Sequence, residues 1–291
     1  MVVSADSFQI YRDFGVASDK VTVSEMDGIS HFGIDIVDAT AEFNVADFLA
    51  YAVPVIESEL QSGRSPIVVG GTHMYVEKLL FTSRLDDKDP VADTPVPIAH
   101  RVYSHAHLRE VDPDSALKLH PNDKRRVSRA IDYFYDTGVR LSATLTAQKR
   151  VVRWENTVVL VKRGREEDLE GRVSRRIQSK MVENGALRAE LLRVTNLVAD
   201  EKLRWNKGLL QAIGYREFEP FVTSLILTGK EDESLFSNGI EDVCRNTVRY
   251  AKKQSKWIKK ISAMIDVHLV DDFSDYVVET IRSAPPLRLI A

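Results

Sequence analysis

Between residues 2 and 81 the chain alternates short apolar runs with amphipathic helical patterns, and this alternation limits the fold more than any other feature. "VVSA" (2–5) and "HFGIDIV" (31–37) read as strands. Asn44, followed three residues later by Asp47, is a capping-box variant that starts a helix expected to reach Ser62 and stop at Gly63. Pro54 inside that helix is expected to kink it or break one turn, because proline has no amide hydrogen. "PIVV" (66–69) reads as a buried strand, followed by "GGT" and a helix over 73–81. Strand–helix–strand–helix order marks a parallel α/β sheet.

Helical patterns dominate further along. Residues 83–100 hold Pro90, Pro95 and Pro97 among several aspartates and read as a linker or shortened insertion. Asn122 or Asp123 caps a helix ending at Gly138, with Val127, Ala130, Ile131 and Phe134 on its apolar face. More helices are expected at 166–184, 186–199, 205–213, 240–265 and 273–282, and strands at 157–161 and 267–270. The expected division is an α/β core over 1–82, an insertion over 83–108, a mostly helical, core-completing part over 109–265, and a closing strand and helix over 266–291.

At 291 residues the chain can bury a sizeable core. No apolar run is long enough to span a membrane, and the opening residues lack the layout of a secretory signal. The single cysteine, Cys244, excludes a disulfide framework and a cysteine-rich zinc site, and fits a reducing compartment. The net charge of −3 hides basic clusters at 124–126, 162–165, 172–176 and 252–260. Such clusters suit a polyanionic partner or form solvated helix faces.

Two short stretches can carry chemistry. Asp6 lies at the carboxyl end of the first strand, where a carboxylate can accept a proton, hold Mg2+, bind a base edge or simply cap a turn. If the strands are parallel, Thr72 lies on the same edge, at a helix N-terminus suited to an anion or serving as an N-cap. Two basic helices come next. Arg125, Arg126 and Arg129 share one helix and suit phosphate contacts. Over 240–265, Ile240, Val243, Thr247, Ala251, Ile258, Ile261 and Ile265 form one narrow arc. Arg245, Arg249, Lys252, Lys256 and Lys259 lie opposite, a stripe that fits a nucleic-acid backbone better than a membrane surface. Arg216, by itself, reads as an ordinary surface residue after a Gly-Tyr corner, and His105 with His107 lacks the partners of a metal site.

Taken together these stretches resemble the tRNA dimethylallyltransferase (tRNA isopentenyltransferase) family. "ADSFQIYR" is similar to its Asp-Ser-x-Gln-x-Tyr motif, and "ISHFGIDIVD" to its Pro-His-His-Leu-Ile-Asp segment, with Ser30 and Phe32 in place of the usual proline and second histidine. "PIVVGGTHMYVEKLLF", "VDP" (111–113), "HPNDKRRVSRAIDYFYDTG", "QAIGYREFEPF" and "RYAKKQSKWIKK" follow in the family's order, covering about 3–265.

The resemblance implies a P-loop-type α/β core with a helical second part, transferring a dimethylallyl group from dimethylallyl diphosphate to N6 of adenosine 37 of tRNA. Mg2+ would assist through the diphosphate, with no usual protein metal ligand present. By resemblance, Asp6 is the base, Thr72 lines the channel between the substrates, and Arg216 neutralises the leaving diphosphate. Ser7 and Gln9 would read the flipped-out adenine and its neighbours, Asp6, Thr72, Gly214, Tyr215 and Arg216 would also contact the tRNA, and Arg216 and Thr72 would bind the diphosphate. Arg125, Arg126, Arg129, Lys252, Lys253, Gln254, Lys256 and Trp257 would hold the anticodon stem-loop. A monomer without membrane attachment is expected, in the cytoplasm, mitochondrion or nucleus. The adenylate isopentenyltransferases of cytokinin synthesis, and a non-catalytic tRNA-binding remnant, are the alternatives.

One family feature is missing. A strand and a Gly-x-Thr-x-x-Gly-Lys-Ser/Thr loop precede the Asp-Ser motif in the family, whereas here Asp6 is the sixth residue and no such loop follows elsewhere. A truncated chain, an opened apolar sheet edge and impaired transfer are the expectations.

Overall fold

The computed structural model describes residues 1–84, 97–147, 149–155, 157, 159–162, 168–265, 267–270 and 288–289. In chain order the elements are β1 (Val2–Ser4), β2 (His31–Phe32), α1 (Val45–Gln61), β3 (Ile67–Val69), α2 (His73–Leu80), β4 (Phe81–Arg84), α3 (His105–Val111), α4 (Pro113–Lys118), α5 (Lys124–Thr137) and α6 (Leu141–Ala147). After them come β5 (Lys149–Val152), β6 (Trp154–Glu155), β7 (Val159–Lys162), α7 (Leu169–Ile177), α8 (Ala186–Ala199), α9 (Glu219–Thr228), α10 (Glu233–Ile261), β8 (Val267–Val270) and β9 (Arg288–Leu289). Two compact units result: Met1–Leu80 with Arg153–Ala291, and Phe81–Val152. Residues 85–96 of the insertion expected at 83–108, and the helix expected at 273–282, lie outside the described residues. No described helix is long and apolar enough to cross a membrane.

In the first unit β1 is the middle strand of a parallel sheet ordered β2-β1-β3, with Val3 opposite Phe32 on one side and Val68 on the other. The α/β alternation thus appears as expected. α1 covers this sheet through Phe48, Ala52 and Ile56, and Phe48 stacks on Tyr75 of α2 at 4.3 Å between ring centres. Both halves of the Asn44–Asp47 capping box form. α1 nevertheless runs unbroken through Pro54, against expectation. Buried side chains on both sides of the proline hold the two halves to one core, which offsets the missing amide bond. β3 is also unlike its reading: it is an edge strand, and Ile67, Val68 and Val69 are exposed rather than buried.

A second core in this unit gathers Ile10, Tyr11 and Phe14 with side chains of α7–α10 and with Leu209, Leu210, Tyr215 and Phe218. Here several boundaries differ from the sequence reading. β2 is two residues long because Gly33 (φ 80°) and Asp35 (φ 54°) turn the chain out of the extended conformation, and Val37 returns as a single parallel bridge to Tyr11. The helix expected at 205–213 is only a 3-10 turn, Gly208–Gln211. α7 passes into a single π turn at Gln178–Val182. α9 is additional to the expected helices, and α10 begins at Glu233, capped by Asp232, well before residue 240. β7 pairs in parallel with β8, and β6 antiparallel with β9.

The second unit packs α3–α6 around Leu108, Ala116, Val127, Ala130 and Ile131, and also contains the antiparallel pair β4–β5. Asp112, fully buried, accepts hydrogen bonds from Ser115 and Ser142 and so ties the start of α4 to α6. Asp123 caps α5, and Gly138 ends it in the left-handed conformation. Phe134, expected on the apolar face of α5, is half-buried.

Candidate active site at the carboxyl edge of the parallel sheet

Parallel pairing delivers Asp6 and Thr72 to one edge. The Ala5 amide donates to the Val69 carbonyl at 2.7 Å, and the Thr72 amide returns to the Ala5 carbonyl at 3.3 Å. One step further, the Ser7 amide donates to the Thr72 hydroxyl at 3.0 Å, and that hydroxyl donates to the Ser7 hydroxyl at 3.2 Å. Asp6 Oδ1 accepts from the Phe8 amide at 2.8 Å and the Gln9 amide at 3.3 Å. Burial nevertheless pushes the Asp6 carboxyl above its ordinary range; the two amides and the charge of Arg176 pull it back only in part. Gln9 is a brace: its amide oxygen accepts from the Ser4 hydroxyl and its nitrogen donates to the Ser18 carbonyl.

The Gly-Gly-Thr turn is held by α10. Tyr250 Oη (2.7 Å) and Gln254 Nε2 (3.2 Å) both donate to the Gly71 carbonyl, and Trp257 Nε1 donates to Glu77 at 3.0 Å. The His73 ring lies between Tyr250 and Trp257, stacked at 5.7 and 4.9 Å. Such closeness needs glycine: a Cβ on Gly70 would stand 2.3 Å from the Ala5 carbonyl oxygen, and one on Gly71 2.4 Å from Gln254 Nε2. Burial, then the charge of Asp6, raises the Tyr250 hydroxyl pKa. Gln254 and Trp257, expected at the RNA face, are therefore engaged with the turn and α2, whereas Lys252, Lys253, Lys256 and Lys259 are exposed as expected. Arg245 and Arg249 are exposed too, paired with Asp242 and Asn246.

A third element is the corner at 214–217. Gly214 has φ 106°, and a Cβ there would stand 2.7 Å from that of Ala17. Tyr215 corrects an expectation: it is completely buried, and its hydroxyl donates to Glu190 at 2.6 Å, so it packs in the core. Glu190, itself 1% exposed, also accepts from the amides of Gly15 (2.7 Å) and Val16 (2.8 Å). Arg216 is exposed, and its Nε donates to Glu217 at 2.9 Å.

Arg125, Arg126 and Arg129 are exposed on α5 of the other unit, Arg126 paired with Asp123. In that unit His105 is hydrogen-bonded to the carbonyls of Ala116 and Leu119, and His107 to Tyr135 and Glu110. Among the described residues no three His, Cys, Asp or Glu side chains are grouped to hold a metal. The sequence reading passes over Tyr250, Asn246, Glu190 and Glu217. The first two carry a signal, lying four and eight residues before Gln254 on one helix face; the glutamates carry none.

Comparison with known proteins gives a consistent result. The family model described as IPP transferase matches residues 9–261. The tRNA dimethylallyltransferase of Bacillus mycoides (strain KBAB4) is 33% identical over 264 residues, 89% of this chain and 78% of that protein. The one from Saccharomyces cerevisiae (strain ATCC 204508 / S288c) is 33% identical over 289 residues, 93% of this chain and 64% of that protein. Among solved structures, a eukaryotic dimethylallyltransferase acting on tRNA superposes with a TM-score of 0.77 at 29% identity, covering 97% of this chain and 70% of that one. The tRNA isopentenylpyrophosphate transferase of Bacillus halodurans gives 0.60 at 28% identity, covering 96% of this chain and 84% of that one.

Proposed function

The chain belongs to the IPP transferase family, a family of prenyltransferases, and we propose that it moves a dimethylallyl group from dimethylallyl diphosphate to N6 of adenosine 37 in the tRNA anticodon loop, with Asp6 as general base. The observation that supports the site is the shared sheet edge on which Thr72 is bonded to Ser7 beside Asp6, whose carboxyl burial holds above its ordinary range. An exocyclic adenine amine is a weak nucleophile and must lose a proton as it attacks the allylic carbon. A desolvated carboxylate is a stronger proton acceptor than one in water, and such help is worth about 10²–10⁴-fold.

The other roles are proposed from the family resemblance. Ser7 and Thr72 line the edge beside Asp6, where the flipped-out base must enter. Arg216 offers a guanidinium for the charge that develops on the departing diphosphate. The exposed lysines of α10 and the arginines of α5 are set to meet phosphates, contacts that position RNA without reading its sequence. Mg2+ would enter on the diphosphate oxygens. The acting form is proposed to be a monomer.

The test is incubation of the chain with dimethylallyl diphosphate and an anticodon stem-loop, followed by mass spectrometry of the nucleosides. N6-dimethylallyladenosine from adenosine 37, lost in Asp6→Asn, is the expected result. Modification of free AMP instead of RNA would point to the adenylate branch. RNA binding without transfer would leave a binding protein.

A further inference from the structure

Arg216 has a partner that sequence spacing would not suggest. Neighbouring residues on a helical turn point apart, yet Arg216 Nε donates to Oε1 of Glu217 at 2.9 Å. The bond forms because Glu217 is drawn inward: its side chain is 2% exposed against 46% for Arg216. Two further donors hold that carboxylate, the Gly214 amide on Oε2 at 2.9 Å and Asn246 Nδ2 on Oε1 at 2.8 Å. Glu217 thus has a fixed place, while Arg216 alone would be a long side chain with much rotamer freedom.

The bond to Glu217 uses Nε. The two terminal amines form a second fork on the far edge of the planar guanidinium, and that fork matches phosphate oxygens. The remaining partner of the carboxylate, Asn246, lies on α10. One and two turns later the same helix carries Tyr250 and Gln254, which hold the Gly71 carbonyl beside Thr72. One helix therefore sets the spacing between the arginine corner and the Gly-Gly-Thr turn.

From this geometry we infer that Glu217 is a positioning residue that aims Arg216 at the diphosphate leaving group, with Asn246 locking the carboxylate to α10. The inference rests on the reading of Arg216 as a diphosphate ligand. It assigns Glu217 no contact with substrate.

Inorganic pyrophosphate is the probe, titrated calorimetrically at fixed Mg2+ into the wild-type chain, Glu217→Gln, Arg216→Ala and the double variant. Glutamine keeps the shape but removes the charge, and its amine meets a donor in either orientation: the Gly214 amide in one, Arg216 Nε and Asn246 Nδ2 in the other. Glu217→Gln and Arg216→Ala are each expected to weaken pyrophosphate binding about tenfold or more, as loss of a charged hydrogen bond does. The double variant should be no weaker than Arg216→Ala. Additive losses would show that Glu217 does not act through Arg216 and would overturn the inference. Unchanged binding in Arg216→Ala, or none by the wild-type chain, would overturn the reading beneath it. If Glu217→Gln does not fold, Asn246→Ala carries the test: a smaller loss, absent when Arg216 is alanine, is expected, and a loss that persists there would overturn the inference.

Discussion

The Thr72 hydroxyl accepts the Ser7 amide at 3.0 Å across 65 residues of sequence. That bond continues the β1–β3 pairing past the last paired residues, Ser4 and Val69, and brings the Asp6 motif up to the Gly-Gly-Thr turn. Thr72→Val keeps the side-chain shape and leaves the Ser7 amide without its acceptor, at a cost of about 1 kcal/mol in stability. Thr72→Ser should retain the bond. Denaturant unfolding of the pair, read beside transfer rates, checks both; equal stability of valine and serine variants would remove the bond from the account.

Asp6 should show opposite effects on activity and stability. Transfer needs the carboxylate, so the acid limb of kcat/KM should lie above the ~3.9 of an unperturbed aspartate. Asp6→Asn should lower turnover about 10²–10⁴-fold with little loss of RNA affinity. On stability the sign is reversed. A pKa raised on folding contributes stability below the unfolded value, and that contribution is lost as pH rises through the folded value. Ionised Asp6 therefore burdens the fold at neutral pH, and Asp6→Asn should raise Tm there, with the gain vanishing below about pH 4. A lower Tm at pH 7 would contradict this reading.

The two glycines of the turn should tolerate change unequally. A methyl on Gly70 meets the Ala5 backbone, which cannot move without breaking the sheet; a methyl on Gly71 meets the end of Gln254, which can swing away. Gly70→Ala should cost about 3 kcal/mol or more, and Gly71→Ala about 1. Thermal melts of the two variants give the order, and the reverse order would refute it.

Lys252 and Lys256 are exposed on α10 while Tyr250, Gln254 and Trp257 of the same helix are tied down. Charge reversal at both lysines should weaken tRNA binding and flatten the dependence of log K on log salt, by about 0.7–0.9 for each phosphate no longer neutralised. Filter binding between low and moderate salt measures it; an unchanged slope would mean that these lysines neutralise no phosphate.

Glu190 is a core anchor. Glu190→Gln would set an amine against the amides of Gly15 and Val16 or the Tyr215 hydroxyl, and should cost about 2–4 kcal/mol. Urea unfolding reads the loss, and Tyr215→Phe, which removes only one donor, should cost less.

The sequence by itself determined the parallel strand–helix alternation, the Asn44 and Asp123 caps, the exposed basic stripe of α10, and the motifs that place Asp6 and Thr72 on one edge. All of these are written in residues a few positions apart, where helix and strand periodicity or a single turn carries the signal. Tertiary structure alone decided that Tyr215 is buried against Glu190, that Gln254 and Trp257 turn toward α2 and its leading turn, and that Glu217 faces Asn246. It also decided that α1 survives Pro54. A polar side chain on a helix or corner has the same local pattern whether it meets water or a buried donor. The difference is made by a partner 25 residues away for Tyr215, 29 for Glu217 and 183 for Gln254. Those partners come together only when apolar burial packs the elements, so no local reading reaches them.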